Sequence, residues 1–290
     1  MKTIFVLLLT LSLNVFADDN IDYKFTTGYA YSDEFSDSIR IDHGYGLEED
    51  NLRIDAGRFI NNIHLDDKIK IKGGFLSITT SFNEFIKMKA TLISADMDKD
   101  KKSQNFGSLQ LFTKFNKTLS NELTCEKGYV DSFMAVQNDT NFIACYDTFE
   151  KKNGKFKESL TVGRYNFTDG NFRNYYSAKL GYQWNENIIL QYIDKQSNNS
   201  QTSLDYFSPK NWHQQYLFVN AIDYKIYDKL SYNVGAGYGM ETINSKSSSM
   251  YLGEVSLFYS SQRLDSYLKY THKFGEYEYD YILVGIEYKF

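Results

Sequence analysis

The stretch Tyr279-Asp280-Tyr281-Ile282-Leu283-Val284-Gly285-Ile286-Glu287-Tyr288-Lys289-Phe290 decides how this chain reads. It alternates: Ile282, Val284, Ile286, Tyr288 and Phe290 fall on one face, and Tyr281, Leu283, Gly285, Glu287 and Lys289 on the other. A period of two gives a strand whose two faces meet different surroundings. An apolar face that ends on aromatic rings suits a strand set against lipid, with its rings at the membrane–water interface.

The amino-terminal end agrees. Residues 1–17 read as a secretory signal, with Lys2 as the positive region, an apolar run from Ile4 to Leu13, and Val15-Phe16-Ala17 before the expected cleavage. That run is too short to span a bilayer, which takes ~20 residues. The remainder, 18–290, reads as one domain without a linker. Aromatics make up 17% of the chain, with 25 Tyr and 22 Phe, and Pro209 is the single proline. Sheets accept Tyr and Phe and tolerate Pro badly. No long apolar run follows the signal, which excludes a helical membrane protein, and the mean hydropathy of −0.48 fits a barrel in which only every second residue meets lipid. A net charge of −5 argues against a nucleic-acid partner.

Alternation between polar breaks predicts strands near 21–31, 37–46, 51–59, 69–79, 84–95, 105–115, 120–128, 140–150, 155–166, 171–184, 187–196, 214–226, 229–241, 250–261, 264–274 and 279–290. Tight connections alternate with longer polar ones: 47–50, 80–83, 116–119, 151–154, 185–186, 227–228 and 262–263 against 32–36, 60–68, 96–104, 129–139, 167–170, 197–213, 242–249 and 275–278. Short turns on one side and longer loops on the other are what outer-membrane barrels show. The expected fold is therefore all-β: an antiparallel up-and-down transmembrane β-barrel of about 16 strands, with 14 as the alternative, in a bacterial outer membrane.

Little chemistry is visible. His43, His64, His213 and His272 form no metal spacing, and no Ser, His and acid are arranged for nucleophilic catalysis. No enzyme activity, metal or cofactor is expected. Cys125 and Cys145 flank the 129–139 loop at nearly equal distances from its centre. A hairpin would oppose them, so a disulfide that clips the loop is expected, with two unpaired thiols as the alternative. The inward face collects Arg40, Arg53, Lys87, Lys89, Arg173, Tyr175, Lys179, Glu254 and Glu287 as lumen candidates. In the longest loop, 197–213, Tyr206, Phe207, Pro209 and Trp212 mark an inward-folded gate or an ordinary exposed loop.

The segment Tyr206-Phe207-Ser208-Pro209, the amphipathic hairpins after it, and the terminal Gly285, Tyr288 and Phe290 resemble the outer-membrane barrels of biofilm exopolysaccharide exporters. Those exporters carry cellulose or poly-N-acetylglucosamine, and stand-alone relatives of the barrels exist. The terminal segment also resembles the signal read by the barrel assembly machinery. That resemblance implies Gly285, Tyr288 and Phe290 as signal residues, and the machinery as a partner alongside outer-membrane lipid. The function expected is a barrel that forms or gates a passage for a saccharide, polysaccharide or small polar solute. A general porin and a plugged structural or adhesive surface barrel are the alternatives.

Overall fold

The computed structural model describes residues 21–32, 36–65, 67–97 and 103–290. The expected signal at 1–17 lies outside these. The chain forms sixteen antiparallel strands: β1 (Ile21–Ser32), β2 (Asp37–Glu49), β3 (Leu52–His64), β4 (Lys68–Ser81), β5 (Ile86–Asp96), β6 (Gln104–Lys114), β7 (Leu119–Tyr129), β8 (Asn141–Asn153), β9 (Phe156–Phe167), β10 (Phe172–Gln183), β11 (Ile188–Asn199), β12 (Asn211–Tyr227), β13 (Leu230–Ile243), β14 (Lys246–Ser260), β15 (Leu264–Phe274) and β16 (Tyr279–Lys289). Each pairs with its sequence neighbours, and β1 pairs with β16 from Asp22↔Lys289 to Ser32↔Tyr279. The barrel is closed, so no edge is left to expose unpaired backbone groups to lipid. A short helix, α1 (Phe133–Gln137), lies in the connection between β7 and β8.

The alternation separates the two faces physically. On β13, Val234, Tyr238 and Met240 are exposed while Gly235 and Glu241 are buried; on β10, Tyr176 and Leu180 are exposed while Ser177 and Gly181 are buried. The exposed apolar side chains form the outer wall. At the turn end that wall carries rings: Tyr288 lies beside Tyr23 in register, and Tyr23 packs on Tyr45 with ring centroids 5.1 Å apart. Phe290 meets the Tyr288 ring edge-on at 5.2 Å. Gly285 points inward beneath Tyr267, whose ring a Cβ at position 285 would strike.

Three connections differ from the sequence reading. Residues 60–64 extend β3 and Lys68 already begins β4, so 60–68 is mostly sheet. Residues 246–249 belong to β14, and the β13–β14 hairpin closes on Asn244 and Ser245, both at positive φ (48° and 74°). Trp212 stands in β12, not in the loop before it. The cause is shared. Strands run from 11 residues (β5) to 17 (β12), more than the ~9–11 a tilted strand needs to cross a bilayer. At the loop end the ladder continues where the outward face is polar, as at Lys68, Lys70 and Lys72, and the inward face is buried, as at Ile63, Ile69 and Ile71, so a contrast of lipid with water no longer marks the strand.

Candidate functional site

At the loop end of the lumen two connections fold inward onto the barrel wall. The first is 130–140. Ser132 caps α1: its hydroxyl accepts from Ala135 N at 3.3 Å. The helix then turns Phe133, Ala135 and Val136 toward the barrel wall. Phe133 and Val136 join Phe59, Ile63, Ile69, Ile71, Ala95, Met97 and Phe106 in one buried apolar cluster on the inner face of β3 to β6. A polar anchor sits beside it. Asn61, 0% exposed, donates from Nδ2 to Asp131 Oδ1 at 2.9 Å and to the Tyr129 hydroxyl at 3.2 Å. Burial raises the Asp131 carboxyl above the usual carboxylate range, against the opposing pull of Asn61 and Arg40.

The second is 200–210. Tyr206 is buried, and its ring stacks on Phe167 at 4.7 Å. Its hydroxyl donates to Asp169 Oδ2 and accepts from Asn171 Nδ2, each at 3.0 Å. Burial, opposed by the Asn171 donor and reinforced by Asp169, keeps that phenol protonated well above its ordinary range. The Phe207 carbonyl accepts from Arg173 Nη2, and the Pro209 carbonyl from Asn199 Nδ2 at 2.6 Å. The Phe207 ring meets Tyr277 edge-on at 4.8 Å and Trp212 at 6.3 Å. Trp212 Nε1 in turn donates to Glu241 at 2.8 Å. Glu241, fully buried, is matched by Lys273 at 2.7 Å and Gln214 at 2.7 Å.

The two loops lock onto each other. The Ser132 hydroxyl donates to the Asp205 carbonyl, and Asn138 Nδ2 to Asp205 Oδ2 at 2.9 Å. Ala135 of α1 packs with Tyr206 and Phe167. Joined in this way they form a single two-loop cap, a lid. Between the lid and the wall at β1 and β2 remains a cavity of about 450 Å³. Its lining is mainly ring faces, among them Phe142, Tyr165, Phe167, Tyr206, Phe207 and Tyr279. Tyr165 and Phe167 lie nearly parallel (16°), as do Tyr279 and Tyr281 (11°).

Below the lid, the charged lumen is largely paired. Arg40 grips Asp42 at 2.8 Å and lies over Phe59 at 4.5 Å. Arg53 bridges Asp22 (2.7 Å), Asp55 (2.8 Å) and Glu48 (3.0 Å). Glu254 pairs with Lys269 at 2.8 Å and Glu287 with Lys24 at 3.4 Å. Arg173, over the Phe167 ring at 5.5 Å and bonded to Asn199 at 3.0 Å, is a clamp on the second loop. Among the described residues no carboxylate lies within ion-pair range of Lys87, Lys89 or Lys179. Lys89 lines a smaller cavity of about 250 Å³ with Lys24, Thr26, Asp42, Asp55 and Ser77. Tyr175 faces inward opposite Gly163 and Ser197.

Cys125 and Cys145 oppose each other in the β7–β8 register and form a disulfide. It lies in the strands below the lid, on the outward face shared with Leu123 and Ile143, and so staples the hairpin rather than the loop. Three rows of the ladder beyond it, Glu126↔Ala144, Lys127↔Ile143 and Gly128↔Phe142, separate it from the last pair, Tyr129↔Asn141.

No family model matches the sequence, and no curated protein matches it. Among solved structures, a bacterial polysaccharide outer membrane secretin superposes with a TM-score of 0.74 over 94% of this chain and 99% of that one, at 12% identity. OpdQ of Pseudomonas aeruginosa gives 0.53 over 92% and 97%, at 10% identity. OprD of the same organism gives 0.52 over 93% and 94%, at 9% identity. Likeness at these identities is likeness of fold: a closed outer-membrane barrel, as the sequence reading expects.

Sequence alone did not single out the inward fold of loop 130–140 or its anchor, Asn61 with Asp131. One signal was present. Phe133-Met134-Ala135-Val136 is an unbroken apolar run inside a connection expected to be solvated, and such a run needs a surface to cover it.

Proposed function

We propose that this chain forms a passage across the outer membrane for a saccharide chain, kept shut at rest by the two-loop lid. The observation that carries the reading is the ring-lined cavity beside the lid. Flat ring faces offer apolar area at low conformational cost and suit the apolar face of a sugar ring. The groups around the cavity are mostly bonded to one another, as Asp131 is to Asn61 and Arg173 to Phe207. That leaves ring faces, not free charges, to greet a solute. The resemblance to exopolysaccharide-exporter barrels and the polysaccharide secretin among the structural neighbours lend support. The OprD-like neighbours favour a general porin as the second reading.

Planar-bilayer recordings of the refolded protein test this. The native protein is expected to show rare, brief openings. Phe133→Asp, which places a charge in the apolar seat of the lid, should conduct steadily. Cello-oligosaccharides or N-acetylglucosamine oligomers should then block that current. Steady native conductance without saccharide block would favour the porin; no current from either protein would favour a plugged structural barrel.

Gly285, Tyr288 and Phe290 carry a separate proposal, that of an assembly signal. Phe290→Ser should lower outer-membrane levels in cells while leaving the stability of refolded protein nearly unchanged. Normal levels would end it.

A further inference from the structure

One strand of the outer rim carries three lysines in a row on one face. On β4, Lys68, Lys70 and Lys72 alternate with Ile69 and Ile71, which are buried against the lid cluster. All three lysines are exposed, on the same outward face as Leu76 and Ile78 of the lipid-facing wall. They therefore stand just beyond the apolar band at the loop end. Pairing with β5 stops at Lys72↔Asp96, so Lys68 and Lys70 project past the neighbouring strand. His64 faces Lys68 across the β3–β4 hairpin, and Asn62 faces Lys70. Among the described residues no carboxylate lies within ion-pair distance of any of the three ammonium groups. Carboxylates on the outward face of β11 and β16 are, by contrast, already paired. There Asp194 is held by His213 and Gln215, and Asp280 by His272 and Tyr270.

We propose that the lysine comb of β4 binds the phosphates of phosphorylated lipids in the outer leaflet. Two residues along a strand advance about 6.7 Å, which sets neighbouring ammonium groups at a spacing suited to a headgroup bearing more than one phosphate. The backbone under them is fixed: Ile71 is 0% exposed and locked against α1 through the lid cluster. Long lysine stems can lie along the apolar wall and lift their charges to headgroup level. The lid is thereby tied, through the inner face of the same hairpin, to the lipid outside.

The test uses the full chain folded in neutral phosphatidylcholine nanodiscs. Lipid A carrying both phosphates, or its dephosphorylated form, is titrated in, and bound lipid is counted by native mass spectrometry. The native protein should prefer the phosphorylated lipid. The variant Lys68→Gln, Lys70→Gln, Lys72→Gln should bind it on the order of a hundredfold more weakly, as expected from ~1 kcal/mol per lysine. Replacing all three by Arg should retain binding. The variant Lys114→Gln, Lys117→Gln, Lys151→Gln, which removes the same charge at the turn end, should keep the preference. If the triple Gln variant does not fold, Lys70→Gln alone should weaken binding about fivefold by the same arithmetic. An unchanged preference in the β4 variants would overturn the proposal. So would displacement of the lipid by inorganic phosphate at matched phosphate concentration, since the site would then hold the free ion.

Discussion

Loop 130–140 and loop 200–210 close over the same lumen, but they are held there by different forces. The first is seated by apolar side chains: Phe133 and Val136 press into the inner wall of β3 to β6, and one polar anchor, Asp131 on Asn61, fixes its entry. The second is held mainly by hydrogen bonds from wall residues, with Arg173 on the Phe207 carbonyl, Asn199 on the Pro209 carbonyl, and Asp169 and Asn171 on the Tyr206 hydroxyl. Apolar burial is tolerant of small shifts and strong in sum, whereas a buried hydrogen bond is directional and costly to leave unmade. The first loop should thus behave as the seat of the lid and the second as its latch.

The largest effect should come from emptying the seat. Phe133→Ala removes a buried ring from a packed cluster, which typically costs ~3–5 kcal/mol. Hydrogen exchange should then show loop 130–140 unprotected while the β-ladder stays protected. Retained protection in that loop would mean the hydrogen bonds alone suffice and the contrast between the loops is wrong.

Next in size is the disulfide between Cys125 and Cys145. Its loss in the double Ser variant should lower unfolding stability by ~2–4 kcal/mol, the usual range for a bridge of this kind. Because it lies below the lid, channel opening should change little, and a large rise in conductance would place it in the gate after all.

Asn61→Leu removes the amide donor that holds the Asp131 carboxylate at the cavity wall, a hydrogen bond to a charged group, at a cost of ~1.5–3 kcal/mol. Tyr206→Phe removes one hydroxyl from the latch and should cost about 1 kcal/mol. Lid opening, read as open probability in bilayers, should rise in that order. Equal effects from the two would erase the distinction between seat and latch.

The smallest effect concerns pH. The Asp131 carboxyl is raised in the docked loop, so docking binds a proton more readily than the undocked loop does. This group therefore favours the closed lid once protonated, and that contribution is lost as pH rises through its raised value. Open probability should fall on acidification through a window lying above the ordinary carboxylate value of ~3.9. Asp131→Asn should flatten that dependence; a native response of opposite sign would contradict the burial argument.

The strand reading held because alternation is local. Each strand carries its own period of two, and lipid on one side with water on the other enforces it residue by residue, as in Tyr279–Phe290 or 229–241. The same reading failed at 60–68 and 242–249, where the outward face is polar and the inward face carries buried Ile63 and Ile243, so the contrast of lipid with water no longer marks the strand. The inner face could be separated from the outer one, so Arg40, Arg53, Glu254 and Glu287 could be placed in the lumen. Their partners could not: Arg53 reaches Asp22 two strands away, and Glu287 meets Lys24 across the β1–β16 seam, through a register that only closure sets.

By itself, then, the sequence determined a two-faced strand repeated sixteen times, an aromatic end, a rigid ring-rich loop and a pair of cysteines able to oppose each other. The tertiary structure alone decided which loops fold inward. That depends on apolar patches from four strands, β3 to β6, meeting at one place on the inner wall. The patches are short in each strand and become a surface only when the barrel curves them together. The free energy of burial follows the area they offer jointly, which no single stretch of sequence displays.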